Sequence, residues 1–295
     1  MQFLSGKIKP HVGWLALPFA LIFFAYFVLP LLLTIIVSFW DYTDYAIIPD
    51  LIFDNYIYIF DGCLSNEGGL CLTFKTYLST FFFCFFTWLI TLVLGFCVAY
   101  FLAFYVNSIP LQVCLFLVCT IPFWTSNVIR MVSWIPLLGR NGLVNEFFLS
   151  LGIIDQPIEW LLYSSFSVIL ALVHLYTLFM IVPIFNSMIR IDRSIVEAAY
   201  DAGASHRQII FNIIIPLSKT GIIIGSIFVV TVVMGDFLTI GIMGGQQLAS
   251  VGKIINTEMN YLQFPGAAAN AVILLIITIF IIYVMTKFID IRKEL

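Results

Sequence analysis

The chain has 295 residues, of which 62% are apolar and only 10% charged, with a formal net charge of −3. A soluble domain carries about 25% charged residues, so this chain could not cover its own surface in water. A soluble enzyme, a nucleic-acid binder and a disordered tail are excluded together, and the composition is that of an integral membrane protein.

A membrane helix needs roughly 20 mostly apolar residues. Val12 to Trp40 carries no Asp, Glu, Lys or Arg and is read as a retained first span, too long for a removed signal peptide. Thr76 to Ile129 is uncharged throughout and suits two spans, folding back at Val106-Asn107-Ser108-Ile109-Pro110. Trp160 to Ile189 is the fourth span. Thr220 to Gly252, interrupted only by Asp236, is the fifth, and Met259 to Thr286 the sixth. The runs are continuous rather than alternating, which argues against barrel strands. The predicted fold is an all-α membrane protein with six transmembrane helices.

With a cytoplasmic N-terminus, the inside segments hold Lys7, Lys9, Arg190, Arg193, Arg207, Lys219, Lys287, Arg292 and Lys293. The outside segments hold Lys75, Arg130, Arg140 and Lys253. That bias places both termini inside. The first outside loop is acidic, with Asp41, Asp44, Asp50, Asp54, Asp61 and Glu67. The chain divides into residues 1–74 (inside segment, first span and acidic loop), a membrane core at 75–288 with an inside loop at 192–216, and an inside tail at 289–295.

Reaction chemistry is absent from the motifs. There is no G-x-x-x-x-G-K-[ST] phosphate loop, no H-E-x-x-H and no G-x-S-x-G. Of His11, His174 and His206 only His174 falls in a span, where a packing or pathway role is expected. Cys84, Cys97, Cys114 and Cys119 lie in spans and act as small apolar residues. Cys63 and Cys71 flank Gly68-Gly69 in the outer loop, where an oxidising compartment permits a disulfide; two free thiols is the alternative.

The inside loop from Asp192 to Pro216 parses as two short helices. Ser194 and Glu197 read as a capping box starting the first, and Gly203 as the left-handed residue ending it. Ser205 and Gln208 read as a second box, and Pro216 interrupts the chain before span five. Ile209, Ile210, Ile213 and Ile214 form an apolar stripe that must be buried, either on the membrane surface or in the groove of a soluble partner.

Glu197-Ala198-Ala199, Gly203 and Ile213-Ile214-Ile215-Pro216 resemble the signature loop of ABC importer permeases, with isoleucine where leucine usually precedes the proline. A narrower resemblance, to spermidine/putrescine permeases and most closely to the first of their two permease subunits, runs over nearly the whole chain. It is carried by Pro122 to Arg130, Asn141 to Asn145, Leu151 to Asp155, Met234 to Phe237 and Met243 to Gly245. The resemblance implies a type I ABC importer permease architecture in the bacterial inner membrane. It implies that Glu197, Ala198, Ala199, Gly203, Ile213 and Pro216 belong to a loop docking on a cytoplasmic ATPase. It implies as partners two ATPase copies, a second related permease and a periplasmic or surface binding protein. ATP and Mg would sit in the ATPase, with no cofactor, metal or nucleic acid on this chain.

The substrate would be a polyamine or another small cationic solute. Asp236 is the one ionised group expected well inside a span, where a carboxylate is costly and a pathway role is the default. Trp124 and Phe123 are candidates for cation–π contact in the same layer. The structural alternative for Asp236 is a partner for a helix end or for Arg130. Small residues at Gly95, Ala99 and Ala103 and at Gly221 and Gly225 indicate tight helix contacts. A secondary transporter would show internal repeats, and a membrane enzyme a reactive constellation; neither pattern is found.

Overall fold

The computed structural model describes residues 10–43, 46–61, 63 and 71–287. Lys7, Lys9, Asp44, Glu67, the Gly68-Gly69 pair, Arg292, Lys293 and the tail at 289–295 lie outside the described residues. The first span is α1 (Pro10–Phe23), a π-turn at Phe24–Val28 and α2 (Leu29–Val37). Leu29 N–H reaches back five residues to Phe24 O immediately ahead of Pro30, which has no N–H to offer. A two-residue hairpin follows, β1 (Asp41–Tyr42) against β2 (Ile47–Ile48), then α3 (Asp54–Ile59). Asn55 is buried and donates to Ser38 O at 3.0 Å and Trp40 O at 2.8 Å, tying α3 to the end of the span.

The next elements are α4 (Leu72–Tyr100) with a π-turn at Phe101–Tyr105, α5 (Ile109–Thr120) with a 3₁₀ turn at Ile121–Trp124, α6 (Asn127–Leu138) and α7 (Leu143–Ser150). The fold-back between α4 and α5 falls at Val106–Ser108, where proline-limited sequence placed it. After α8 (Ser165–Met188) come α9 (Arg193–Asp201), α10 (His206–Ile209), a π-turn at Ile210–Ile214, α11 (Ile215–Leu217) and α12 (Lys219–Gly235). The chain then continues through α13 (Leu238–Met243), α14 (Val251–Asn260) and α15 (Phe264–Thr286).

Among the described residues four helices are long and apolar enough to cross a membrane, and six if each of two bent pairs is one span. The bends are 88° between Ile109–Trp124 and Asn127–Ser150, and 68° between His206–Leu217 and Lys219–Gly235. Span three therefore stops at Trp124 rather than running to Ile129. Pro122 removes a helix donor and Thr125 turns extended, its hydroxyl bonding Pro122 O at 2.9 Å. Span five is likewise shorter than the uncharged run Thr220 to Gly252. That run holds α12, a break at Asp236-Phe237, α13 and a turn with Gly245 at φ +58°.

By packing, the chain forms two compact units, Met1–Ser65 with Ile255–Ile273, and Asn66–Ile254 with Leu274–Leu295. This division differs from the segmentation at residues 74 and 288. The core of the second unit is the packing of α4, α8 and α12, with Phe83, Ala99, Leu172, Met180, Ile184, Val229 and Val233 buried. A Cβ on Gly95 would stand 2.7 Å from Met180 Cγ, and one on Gly225 would stand 2.9 Å from Met180 Sδ. Gly221 lies directly against the Pro183 carbonyl. The small-residue stripes thus let three helices of one chain approach closely, and dispersion between close-packed atoms holds them where lipid offers no hydrophobic drive. Cys84, Cys97, Cys114 and Cys119 are free thiols, while Cys63 and Cys71 are each disulfide-bonded.

Candidate functional site

The loop from Asp192 to Ser218 is built by local capping. The N-cap of α9 is Asp192, whose carboxylate accepts from Ser194 N–H at 3.0 Å. That bond holds the Asp192 carboxyl below its ordinary value. The capping box expected at Ser194 and Glu197 is not formed, because the aspartate two residues earlier takes the cap and leaves Glu197 exposed. At the other end Gly203 has φ +81°, and the bonds Gly203 N–H to Tyr200 O at 2.9 Å and Ala204 N–H to Ala199 O at 3.0 Å close a Schellman motif. The Ser205/Gln208 box is present in both directions.

Helix α10, its π-turn and α11 run on without a break to Leu217, and the bend comes at Ser218 rather than at Pro216. The π-turn stands just ahead of Pro216, which cannot supply the N–H that Asn212 O would receive in an α-helix. The isoleucine stripe takes neither of the two positions open to it in sequence. Ile209 and Ile214 are each 1% exposed and packed into the chain's own core, with Ile210 and Ile213 half-buried beside them. What the loop presents outward instead is Ile195, Glu197, Ala198, Tyr200 and Phe211.

Two contacts that sequence reasoning missed anchor this loop to the end of α4. Arg193 donates to Asn107 Oδ1 at 2.5 Å and to Ala103 O at 3.3 Å. His206 lies between two phenols, 2.9 Å from Tyr200 and 3.4 Å from Tyr100. Their only sequence signal is polarity at a loop, because the partners stand 86 and 106 residues away.

A second polar site lies at the α12–α13 break. Asp236 follows the last residue of α12 instead of sitting along a helix. Its Oδ2 accepts from Tyr176 Oη at 2.6 Å and Thr239 Oγ1 at 2.6 Å, and its Oδ1 from Thr239 N–H at 2.9 Å. It therefore holds the start of α13, which is the helix-end role, while Arg130 donates to Asn127 Oδ1 at 2.5 Å instead. Among the described residues no basic side chain forms an ion pair with Asp236. The carboxylate borders a recess of about 200 Å³ with Asn127, Met131, Tyr176, Gly235 and Thr239. Arg130 is 8% exposed, and its Nε has no hydrogen-bond partner among the described residues.

Phe123 and Trp124 do not line that recess. Phe123 meets Phe179 edge-on at 5.7 Å, and Phe179 stands 6.1 Å from Tyr176, so Phe123 reaches the site through one intervening ring. Trp124 is 83% exposed at the end of its 3₁₀ turn. His174 accepts from Trp134 Nε1 at 3.2 Å.

No family model matches the chain. The spermidine/putrescine transport system permease protein PotB of Salmonella typhimurium strain LT2 is 34% identical over 280 residues, which is 94% of this chain and 90% of that protein. PotB of Escherichia coli K12 is 34% identical over 270 residues, 90% of each. The inner membrane ABC transporter permease protein YdcU of the same strain is 24% identical over 206 residues, 65% of this chain and 64% of that one. A chain of a bacterial alginate ABC transporter, solved in complex with an alginate pentasaccharide-bound periplasmic protein, has a TM-score of 0.69 at 14% identity, covering 94% of this chain and 92% of that chain. That likeness shows the fold to be that of an ABC transporter chain. With 34% identity across 94% of its length, the chain belongs to the family of spermidine/putrescine transport system permease proteins typified by PotB.

Proposed function

We propose that this chain is the membrane-spanning permease of an ATP-driven importer for spermidine, putrescine or a similar polyamine. The family membership supports the permease role, and the observation that carries the substrate is Asp236. It is a carboxylate in a recess of a membrane helix pair, donated to by two hydroxyls and one amide but ion-paired to no base among the described residues. Those donors leave its negative charge in place and one lone-pair direction on Oδ1 free for an ammonium group.

The chain pairs with a second related permease, and two ATPase subunits carry ATP and Mg on the cytoplasmic side. A periplasmic or surface binding protein delivers the solute. Both termini lie in the cytoplasm of a bacterial inner membrane. The loop containing Glu197, Ala198, Ala199, Gly203, Ile213 and Pro216 docks on an ATPase. Its exposed face around Ile195, Glu197 and Tyr200 makes the contact, while Ile213 and Pro216 set the path into α12.

A second reading rests on Arg130, buried beside Asn127 with an Nε unpartnered among the described residues. Arg130 is not itself in the lining of the Asp236 recess but bonds Asn127, which is, and a guanidinium and a carboxylate held this near each other suit a solute carrying both an amine and an acid. Ligand binding by the partner binding protein separates the two readings. Tight binding of polyamines with no binding of amino acids supports the first, and the reverse result overturns it.

A further inference from the structure

The recess at Asp236 is one end of a longer feature. On α8, Tyr176, Phe179, Pro183 and Ser187 follow at three- and four-residue steps and so share one face, and Arg190 stands two residues past the helix end. On α12, Gly221, Ile224, Phe228, Val232 and Gly235 do the same. The two helices pack against each other, and the two faces meet along one seam. At its far end the seam opens into a second recess of about 330 Å³, bordered by Pro183, Asn186, Ser187, Arg190, Ile224 and Phe228. From Tyr176 to Ser187 the seam is roughly 16 Å long at 1.5 Å per residue.

Aromatic rings join the two recesses. Phe228 of the second recess stands 6.4 Å from Phe179, and Phe179 stands 6.1 Å from Tyr176, whose hydroxyl touches Asp236. Phe123 flanks the same ring at 5.7 Å. We infer that the Tyr176–Phe179–Phe228 ladder is the specificity-determining track of the permease, along which an extended polyamine passes from Asp236 to the second recess. This inference rests on the polyamine reading above.

The chemistry favours a polycation over a neutral solute. A methylene chain needs an apolar wall, and each ammonium group along it gains from a ring face at one step and from a carboxylate or polar oxygen at another. Ring faces hold a cation without trapping it, so successive weak sites allow entry and exit. Arg190 at the far recess repels an ammonium group and so disfavours retention there.

The test is uptake of labelled spermidine and putrescine into membrane vesicles holding the complete transporter. Variants are Phe179→Leu and Phe228→Leu, which keep an apolar side chain but remove the ring, with Phe179→Tyr as the restoring change. A lost cation–π contact corresponds to about a threefold to tenfold fall in uptake at low substrate. The expected result is that fall for both leucine variants, larger for the triamine than the diamine, with near-complete recovery in Phe179→Tyr. Uptake that ignores both leucine changes overturns the ladder, as does an equal loss in Phe179→Tyr, which would mark simple packing. If Phe179→Leu lowers the amount of complex in the membrane, the half-exposed Phe228 decides the matter. Unsubstituted vesicles that take up neither amine overturn the substrate reading itself, a failure distinct from the ladder's.

Discussion

Asp236 does two things with one carboxylate, and a single substitution separates them. Asparagine keeps Oδ1 as the acceptor for Thr239 N–H and places an NH2 where Oδ2 was, which the Tyr176 and Thr239 hydroxyls can accept from by turning their own protons away, so Asp236→Asn should leave α13 capped and the complex assembled. It loses the charge. At an effective dielectric near 20 a unit pair at 4 Å is worth about 4 kcal/mol before desolvation, and a third of that as the net effect is close to tenfold in binding. Uptake should fall about tenfold for a polyamine while the transporter's ATPase activity without substrate is unchanged; undiminished uptake would make Asp236 purely structural. At Gly203 the φ of +81° carries the argument. Valine there costs about 1–2 kcal/mol in the left-handed region, so Gly203→Val should loosen the turn and lower the ATPase retained in washed membranes. Glu197→Lys should lower retention as well, through the docking face alone, since Glu197 caps nothing. Retention unchanged from the unsubstituted transporter in both variants would remove the docking assignment. The left-handed Gly203 was legible because a glycine after an Ala-rich helix has one common use. The α9 cap was not. Asp192 and Ser194 both suit an N-cap, and only the folded backbone selects between registers two residues apart.

At the scale of elements, the loop's hold on α4 is set by side chains that sequence could not pair. Arg193→Ala removes both bonds to the α4 end, whereas Arg193→Lys retains a cation but cannot fork to Asn107 and Ala103 together. Net bonds of this kind are worth about 1 kcal/mol. The expected outcome in reconstituted vesicles is a severalfold drop in solute moved per ATP hydrolysed for Arg193→Ala, with partial recovery for Arg193→Lys; an unchanged ratio would mean the contact plays no part in coupling. Packing on α8 gives a second comparison. Gly221→Ala drives a methyl into the Pro183 backbone carbonyl, while Gly225→Ala first meets the Met180 thioether, which can rotate away. Overpacking costs about 1–3 kcal/mol. The melting point of the purified complex should therefore fall further for Gly221→Ala, and the opposite order would contradict the packing described. The spans themselves were legible as uncharged runs. Their breaks at Thr125-Ser126 and Asp236-Phe237 were not, because hydropathy averages over the few residues whose hydrogen bonds decide where a helix stops.

For the whole molecule, the two cysteines before α4 are the accessible test. Cys63 and Cys71 should resist maleimide in intact cells and react after reduction; equal labelling in both states would show free thiols. The grouping of Ile255–Ile273 with the first 65 residues has no counterpart in the sequence, since nothing local announces a partner two hundred positions away. Mechanics follow from the joint at Ser218. Helix α12 is a rod of 17 residues, about 25 Å at 1.5 Å per residue, meeting the loop proposed to dock on an ATPase at the Ser218 bend and carrying Asp236 just past its other end. A tilt of about 10° about that bend would sweep the carboxylate sideways by roughly 4 Å over that length. Under the docking proposal the molecule would work in this respect as a crank, in which a small turn of the handle below becomes the full width of an ammonium group above.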